Sequence, residues 1–178
     1  MNNQPERIEF SDRIEYRLNG KLHREDGPAV ERADGHKEWY VKGKLHRENG
    51  PAIEWANGDK EWWVNDKLHR LDGPADAEHI PKGSMPAVER TDGTKAWFFD
   101  GKCHRTDGPA WEWANGTKEW WVNDKLHRLD GPAWEWANGY KEWYMSGNEV
   151  SKPEVDNLRL KTMTLSLVVN RRIWKKVI

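Results

Sequence analysis

Residues 45–67 read LHRENGPAIEWANGDKEWWVNDK, and this stretch decides the fold because the chain repeats it. The motif Leu-His-Arg-x-Asp/Asn-Gly-Pro-Ala, with Cys for Leu in one copy, begins at Leu22, Leu45, Leu68, Cys103 and Leu126. Copies lie 23 residues apart, except that 35 residues separate Leu68 from Cys103. The longer interval indicates an insertion, which we place at residues 76–87. A repeat of this length predicts units that stack and bury their apolar faces against their neighbours.

Each unit carries the sequence signature of a β-hairpin. An Asn-Gly or Asp-Gly pair, which favours tight hairpin turns, separates two aromatic-rich segments. These pairs occur at residues 34–35, 57–58, 92–93, 115–116 and 138–139. A second turn recurs at residues 42–44, 65–67, 100–102 and 123–125. Proline in the Gly-Pro-Ala step cannot donate to a strand ladder and marks a kink or bulge. The sequence therefore predicts an all-β fold, an elongated antiparallel meander of stacked 23-residue hairpins.

The repeats and the C-terminal segment form two predicted regions. The array covers residues 1–148, as a half repeat 5–21 followed by repeats 22–44, 45–67, 68–102, 103–125 and 126–148. Residues 149–178 are predicted to form a short α or α+β cap. Ser151-Lys152-Pro153-Glu154 has the residue types that begin a helix. The apolar alternation at Met163, Leu165 and Leu167 is typical of a strand. The tail carries seven basic and three acidic residues and is expected to cover an open sheet edge or to form a homodimer contact.

The hairpin register has two possible solutions. A two-residue loop at Asn57-Gly58 places Trp55 and Trp62 on one face but sets two glutamates opposite each other. A three-residue loop pairs Glu54 with Lys60 and scatters the tryptophans over both faces. Because an exposed ion pair contributes only about 0–1 kcal/mol, burial of tryptophan favours the two-residue loop.

Composition restricts the class of protein. Thirteen Trp in 178 residues indicate an ordered chain in which large rings supply the buried surface. The net charge of -1 gives no general attraction to nucleic acid, which we do not expect as a partner. The single cysteine excludes an intramolecular disulfide and a cysteine-based metal site. Without a signal peptide or a run of roughly 20 apolar residues, we expect a cytoplasmic protein with no membrane span.

Histidine, arginine and glutamate recur in every unit, which indicates a framework role more than a site. Successive histidines would lie roughly 10 Å apart, too far to share a metal ion, so we expect no metal or cofactor. Recurring glutamate pairs without a nucleophile or a phosphate loop predict that the protein is not an enzyme. The predicted framework residues are His23, His46, His69, His104, His127, Arg24, Arg47, Arg70, Arg105 and Arg128.

Positions that break the repeat are better candidates for function. Arg32 and Arg90 stand where other units carry Trp, and the insertion occurs once. Adjacent strand residues face opposite ways, so one of the two aromatic columns is expected to be core and the other exposed or half covered. The candidate binding residues are Arg32, Arg90, His79, Lys82, Trp63, Trp121, Arg171 and Arg172.

The order Gly-Lys turn, His, strand, Asp/Asn-Gly and aromatic strand resembles the MORN repeat over roughly residues 5–148. The chain departs from that pattern by an Arg after each His and by the longer Asp-Gly-Pro-Ala loop. This variant is similar to His-Arg-x-Asp-Gly-Pro-Ala repeats in uncharacterised proteins of large phages and other large DNA viruses. The resemblance implies a non-enzymatic scaffold that binds another protein, or lipid headgroups, and a viral accessory role against host defence. The alternatives are a sponge for an anionic ligand such as a nucleotide signal and, third, a hydrolase.

Overall fold

The computed structural model describes residues 4–70, 85–157 and 160, and within them the fold is nearly all β. Four candidate binding residues and the strand predicted at 163–167 lie outside the described residues. Those four are His79, Lys82, Arg171 and Arg172. The prediction of an all-β array of antiparallel hairpins is confirmed.

Twenty-two short strands follow one another through the described residues. The first eleven are β1 Glu6–Glu9, β2 Arg13–Leu18, β3 Lys21–Leu22, β4 Val30–Arg32, β5 Lys37–Glu38, β6 Tyr40–Val41, β7 Lys44–Leu45, β8 Ile53–Glu54, β9 Lys60–Glu61, β10 Trp63–Val64 and β11 Lys67–Leu68. The rest are β12 Val88–Glu89, β13 Lys95–Ala96, β14 Phe98–Phe99, β15 Lys102–Cys103, β16 Trp111–Glu112, β17 Lys118–Glu119, β18 Trp121–Val122, β19 Lys125–Leu126, β20 Trp134–Glu135, β21 Lys141–Met145 and β22 Asn148–Val150.

One antiparallel sheet runs through the array. Its order is β1-β2-β4-β5-β8-β9-β12-β13-β16-β17-β20-β21-β22, with β3 beside β2. Each full repeat adds two strands to this sheet, so equivalent residues of adjacent repeats are separated by roughly two strand spacings, about 9.5 Å. Four small hairpins, β6-β7, β10-β11, β14-β15 and β18-β19, lie apart from it.

The observed register is the one with the three-residue loop, so the two-residue loop that we favoured is wrong. Glu54 pairs with Lys60 and Ile53 with Glu61, and the four other repeats follow the same pattern. In this hairpin the N–H of Gly58 donates to the carbonyl of Trp55, and Gly58 has a φ of +93°. A turn that ends in a left-handed residue makes the loop three residues long. Trp62 is buried all the same, so burial did not require the other register.

The second turn of each repeat is a two-residue loop with positive φ at both central residues. Val64 pairs with Lys67 across Asn65 and Asp66, whose φ angles are +51° and +64°. This type I′ geometry suits the twist of antiparallel strands but strains most side chains. The first repeat places a lysine, Lys42, in this conformation, with a φ of +53°.

Replacing Lys42 by asparagine is therefore expected to raise the free energy of unfolding by about 0.5–1 kcal/mol. Asparagine tolerates the left-handed region, and the backbone N–H of residue 42 still donates to His23. Urea denaturation measures the change. Lys37→Asn, at an exposed strand position, is the control and should not stabilise; equal gains at both positions would contradict the argument.

The core is thin, and one fully buried alanine per repeat contributes to it. The alanine of each Gly-Pro-Ala step has no exposed surface and continues the sheet past the proline. Ala110, for example, donates to the carbonyl of Glu119 and accepts from the N–H of Trp97. These residues are Ala29, Ala52, Ala87, Ala110 and Ala133.

Residues 152–157 form a short helix, as the sequence predicted. The carboxylate of Glu154 accepts hydrogen bonds from both the N–H and the hydroxyl of Ser151, at 2.6 and 2.8 Å. This contact is a capping interaction that satisfies the start of the helix. Val155 is 2% exposed and anchors the helix. No helix among the described residues is long and apolar enough to cross a membrane.

Candidate functional site

The arginine of each His-Arg pair closes its own loop as a clamp. The Arg105 guanidinium lies 3.9 Å above the Trp97 ring and donates to Asp107 and Glu112, at 2.9 and 3.2 Å. It also donates to the carbonyl of Pro109 at 3.1 Å. The same stacking at 3.9 Å recurs for Arg24, Arg47, Arg70 and Arg128. The structure therefore places these five predicted framework residues in intramolecular contacts.

The clamp locates the end of the insertion. Arg70 donates to the carbonyl of Pro86 and to Glu89, as Arg47 does to Pro51 and Glu54. Ala87 is fully buried like the other framework alanines. Pro86 and Ala87 therefore belong to the repeat, and placing them in the insertion was wrong. The sequence offered two Pro-Ala pairs, and only the contacts of Arg70 distinguish them.

The repeated histidines link the start of a repeat to the second turn at its end. Nδ1 of His23 accepts the backbone N–H of Lys42, and Nδ1 of His127 accepts that of Ser146, both at 3.1 Å. Nδ1 of His69 accepts from the equivalent turn at 3.1 Å, whereas Nδ1 of His104 lies 2.9 Å from Oδ1 of Asn123 and 3.3 Å from its backbone N–H. Nδ1 of His46 is buried with no partner among the described residues. Nδ1 of His23, His69 and His127 therefore acts as a hydrogen-bond acceptor that fixes the turn.

On the face of the sheet opposite the arginine-stacked rings, each repeat but one carries a glutamate. These residues are Glu15, Glu38, Glu61, Glu119 and Glu142. In the third full repeat Ala96 takes the equivalent position. Glu15 is held by Arg13 and Arg17, at 2.7 and 2.8 Å. Tyr144 donates to Glu142, and Nε2 of His36 lies 2.7 Å from Glu38.

In two repeats this glutamate is buried between tryptophans. The indole N–H groups of Trp113 and Trp121 donate to Glu119 at 2.7 and 2.8 Å. Those of Trp55 and Trp63 donate to Glu61 at 3.4 and 3.0 Å. We predicted Trp63 and Trp121 as binding residues. Both are half-buried, and their indole N–H groups hold the carboxylates of Glu61 and Glu119.

Three more exposed tryptophans each directly precede a three-residue hairpin loop. Trp55, Trp113 and Trp136 are 42, 41 and 39% exposed. In each case the backbone N–H donates to the carbonyl four residues later, and Arg32 and Arg90 make the same bond. We call these five positions the tip row. These three tryptophans were not among the predicted binding residues, because the two-residue loop places Trp55 on the same face as Trp62. The Glu54–Lys60 charge pairing was the signal that could have found them.

The two arginines of the tip row lie close to acidic side chains. Arg90 donates to Asp59 at 3.1 Å and to Glu61 at 3.0 Å. Arg32 lies 4.0 Å from Glu38. The side chain of Arg90 thus extends back towards the preceding repeat.

A cleft of about 530 Å³ opens beside Arg90, where the third full repeat departs from the others. Asp59, Arg90, Asp92, Trp111 and Trp113 contribute to its walls. The rings of Trp111 and Trp113 stack with centroids 4.8 Å apart. Two carboxylates against one guanidinium give these walls a negative balance, which does not favour an anionic ligand.

Asp59 joins neighbouring hairpin tips and gives stability a defined pH dependence. The backbone N–H of Thr91 and the guanidinium of Arg90 hold the pKa of Asp59 at about 2, below its ordinary 3.8. Because the folded-state pKa is the lower one, this contribution is complete above about pH 4 and is lost as pH falls towards 2.

Replacing Asp59 by asparagine is expected to cost about 1–2 kcal/mol at pH 7 and much less near pH 2. Urea denaturation of both proteins across this range gives the difference in free energy of unfolding. A difference that stays constant from pH 7 to pH 2 would contradict the assignment. Asp34→Asn, at the equivalent loop of the first repeat, controls for the general effect of removing a carboxylate.

The described residues hold no arrangement suited to metal binding, since no three His, Cys, Asp or Glu side chains converge. Burial raises the pKa of the Cys103 thiol to about 12, so it stays protonated at neutral pH and is unsuited to nucleophilic attack.

A comparison with the models of known protein families finds no match. A search of curated proteins finds no match either.

Proposed function

We propose that the protein is a non-enzymatic binding scaffold that holds another protein against its tip row. The observation that carries this proposal is the set of three indoles, each about two-fifths exposed and set at equivalent positions of the repeat. Tryptophan and arginine dominate the binding energy of protein interfaces, and a ring that is already fixed loses little entropy on binding.

The contacts of the charged groups support binding of a protein over capture of an anionic small molecule. The repeated arginines are stacked and hydrogen-bonded within their own loops, and Arg90 is paired with two carboxylates. Little uncompensated positive charge faces the cleft. The resemblance to viral repeat proteins adds the prediction that the partner is a host defence factor in the cytoplasm of the infected cell.

Capture from a lysate tests this function with variants that map the surface. The tagged protein is expected to retain one stoichiometric protein, and the Trp113→Ala/Trp136→Ala double variant is expected to lose it. Phe99→Ala is the matched control, because Phe99 is 37% exposed but lies outside the tip row.

Retention of the same partner by the double variant would contradict the proposed surface. Release of a nucleotide on denaturation, seen as absorbance near 260 nm, with no protein captured, would instead favour the small-molecule alternative. Thermal unfolding of each variant shows whether the fold is preserved.

A further inference from the structure

Trp113 and Glu119 present an exposed ring beside a buried carboxylate. Trp113 is 41% exposed, whereas Glu119 is 6% exposed, and the indole N–H joins them at 2.7 Å. No salt bridge to Glu119 occurs within residues 4–70 and 85–157. A buried carboxylate held only by neutral donors leaves its negative charge uncompensated.

Elsewhere in the protein, a ring and a carboxylate are joined by a guanidinium. In five loops an arginine lies over an aromatic ring at 3.9 Å, and in each it also donates to a glutamate. Such a site combines cation–π attraction with a charge-assisted hydrogen bond.

The glutamate column supplies a closer comparison. Glu61 accepts from the indole of Trp55 and also from Arg90, which comes from the tip of the next repeat. At Glu119 the next tip carries Trp136 in place of arginine. The carboxylate and its indole donors are therefore present, and the cation that accompanies them at Glu61 is replaced by a second exposed ring.

We propose that Trp113 and Trp136 bind an arginine-bearing segment of the partner protein, whose guanidinium groups stack on the two indoles in the field of Glu119. This inference rests on the proposed function and names the chemistry of the partner.

The charge on this side of the last two repeats supports a cationic partner. Glu119 and Glu142 face it with no cation bonded to either among the described residues. Lys118 and Lys141 precede these glutamates in their strands and so point to the opposite face. The exposed rings Trp136 and Tyr140 extend the surface without adding positive charge.

The repeat spacing predicts the pattern of arginines in the partner. Trp113 and Trp136 occupy equivalent positions in adjacent repeats, roughly 9.5 Å apart by two strand spacings. A polyproline II chain advances about 3.1 Å per residue and returns to the same face every three residues, so arginines three residues apart match this separation.

The test titrates the full-length ¹⁵N-labelled protein with a glycine–serine peptide that carries two arginines three residues apart. The indole N–H signals of Trp113 and Trp136 are expected to shift with a common affinity. A matched peptide with norleucine in place of arginine should bind about tenfold more weakly, since a cation–π contact and its charge pairing are lost.

Two variants separate charge from ring. Glu119→Gln should weaken binding of the arginine peptide by about tenfold, whereas Glu48→Gln, at an exposed loop, should leave it unchanged. Trp136→Leu keeps Glu119 and its two indole donors in place and should also weaken binding. Equal binding of the arginine and norleucine peptides, tighter binding of a glutamate peptide, or no effect of Glu119→Gln would each overturn the inference.

The outcomes also distinguish this inference from the proposed function. If the arginine peptide does not bind but the Trp113→Ala/Trp136→Ala variant still loses its captured protein, the arginine chemistry is wrong and the binding surface stands. If the double variant keeps its partner, the surface itself is wrong.

Discussion

Arg105→Ala is expected to lower the free energy of unfolding by about 3 kcal/mol, because one guanidinium holds four groups together. It stacks on Trp97 and donates to Asp107, Glu112 and the carbonyl of Pro109. The arginine side chain is 16% exposed, so truncation removes a largely buried group together with its stacking and all three of its hydrogen-bond acceptors. Urea denaturation monitored by tryptophan fluorescence measures the loss.

Two further variants make this prediction specific. Arg32→Ala, at a side chain 43% exposed and 4.0 Å from its carboxylate, should change stability by no more than about 0.5 kcal/mol. Gly108→Ala should destabilise the protein without removing charge, because a Cβ there would lie 2.9 Å from Cζ of Arg105. Equal losses for Arg105→Ala and Arg32→Ala would contradict the clamp.

Ala110→Leu is expected to destabilise the protein by about 3 kcal/mol, at the upper end of ordinary overpacking. Ala110 has no exposed surface, and its N–H and carbonyl both bond neighbouring strands. A larger side chain must therefore displace either the sheet or the packed side chains around it. Differential scanning calorimetry should show a lowered Tm.

Ala114→Leu is the matched control, because Ala114 is exposed at the next hairpin loop. We expect it to change stability by about 0.5 kcal/mol or less. If Ala110→Leu is equally well tolerated, the Gly-Pro-Ala step is not the tightly packed part of each repeat.

The sequence alone was sufficient to identify the repeat and its turns. Periodicity and the Asn-Gly pairs are local signals, and turn geometry depends on the few residues that form it. The helix at residues 152–157 was likewise predictable, since Ser151 and Glu154 cap it through neighbouring atoms. These features needed no knowledge of how distant residues pack.

Local signals did not decide the hairpin register, although the charge pairing of Glu54 with Lys60 indicated the observed three-residue loop. We expected tryptophan burial to require one apolar face. Instead, an arginine covers the ring of Trp62 on one side of the sheet, while Glu61 accepts the indole N–H groups of Trp55 and Trp63 on the other. Both faces accommodate tryptophan because each supplies a charged partner.

The sequence by itself thus determined that the chain is an array of β-hairpins and directed attention to the positions that break the repeat. Only the tertiary structure decided which of the charged side chains at those positions are paired with an opposite charge inside the protein. Arg90 differs from its neighbours in sequence, yet it is paired with Asp59 and Glu61 from the preceding repeat. Trp113 and Trp136 obey the repeat, yet their rings are exposed, and Trp113 donates to the buried Glu119. The physical reason is that exposure and charge pairing depend on contacts between repeats, whereas the 23-residue pattern is local to each one.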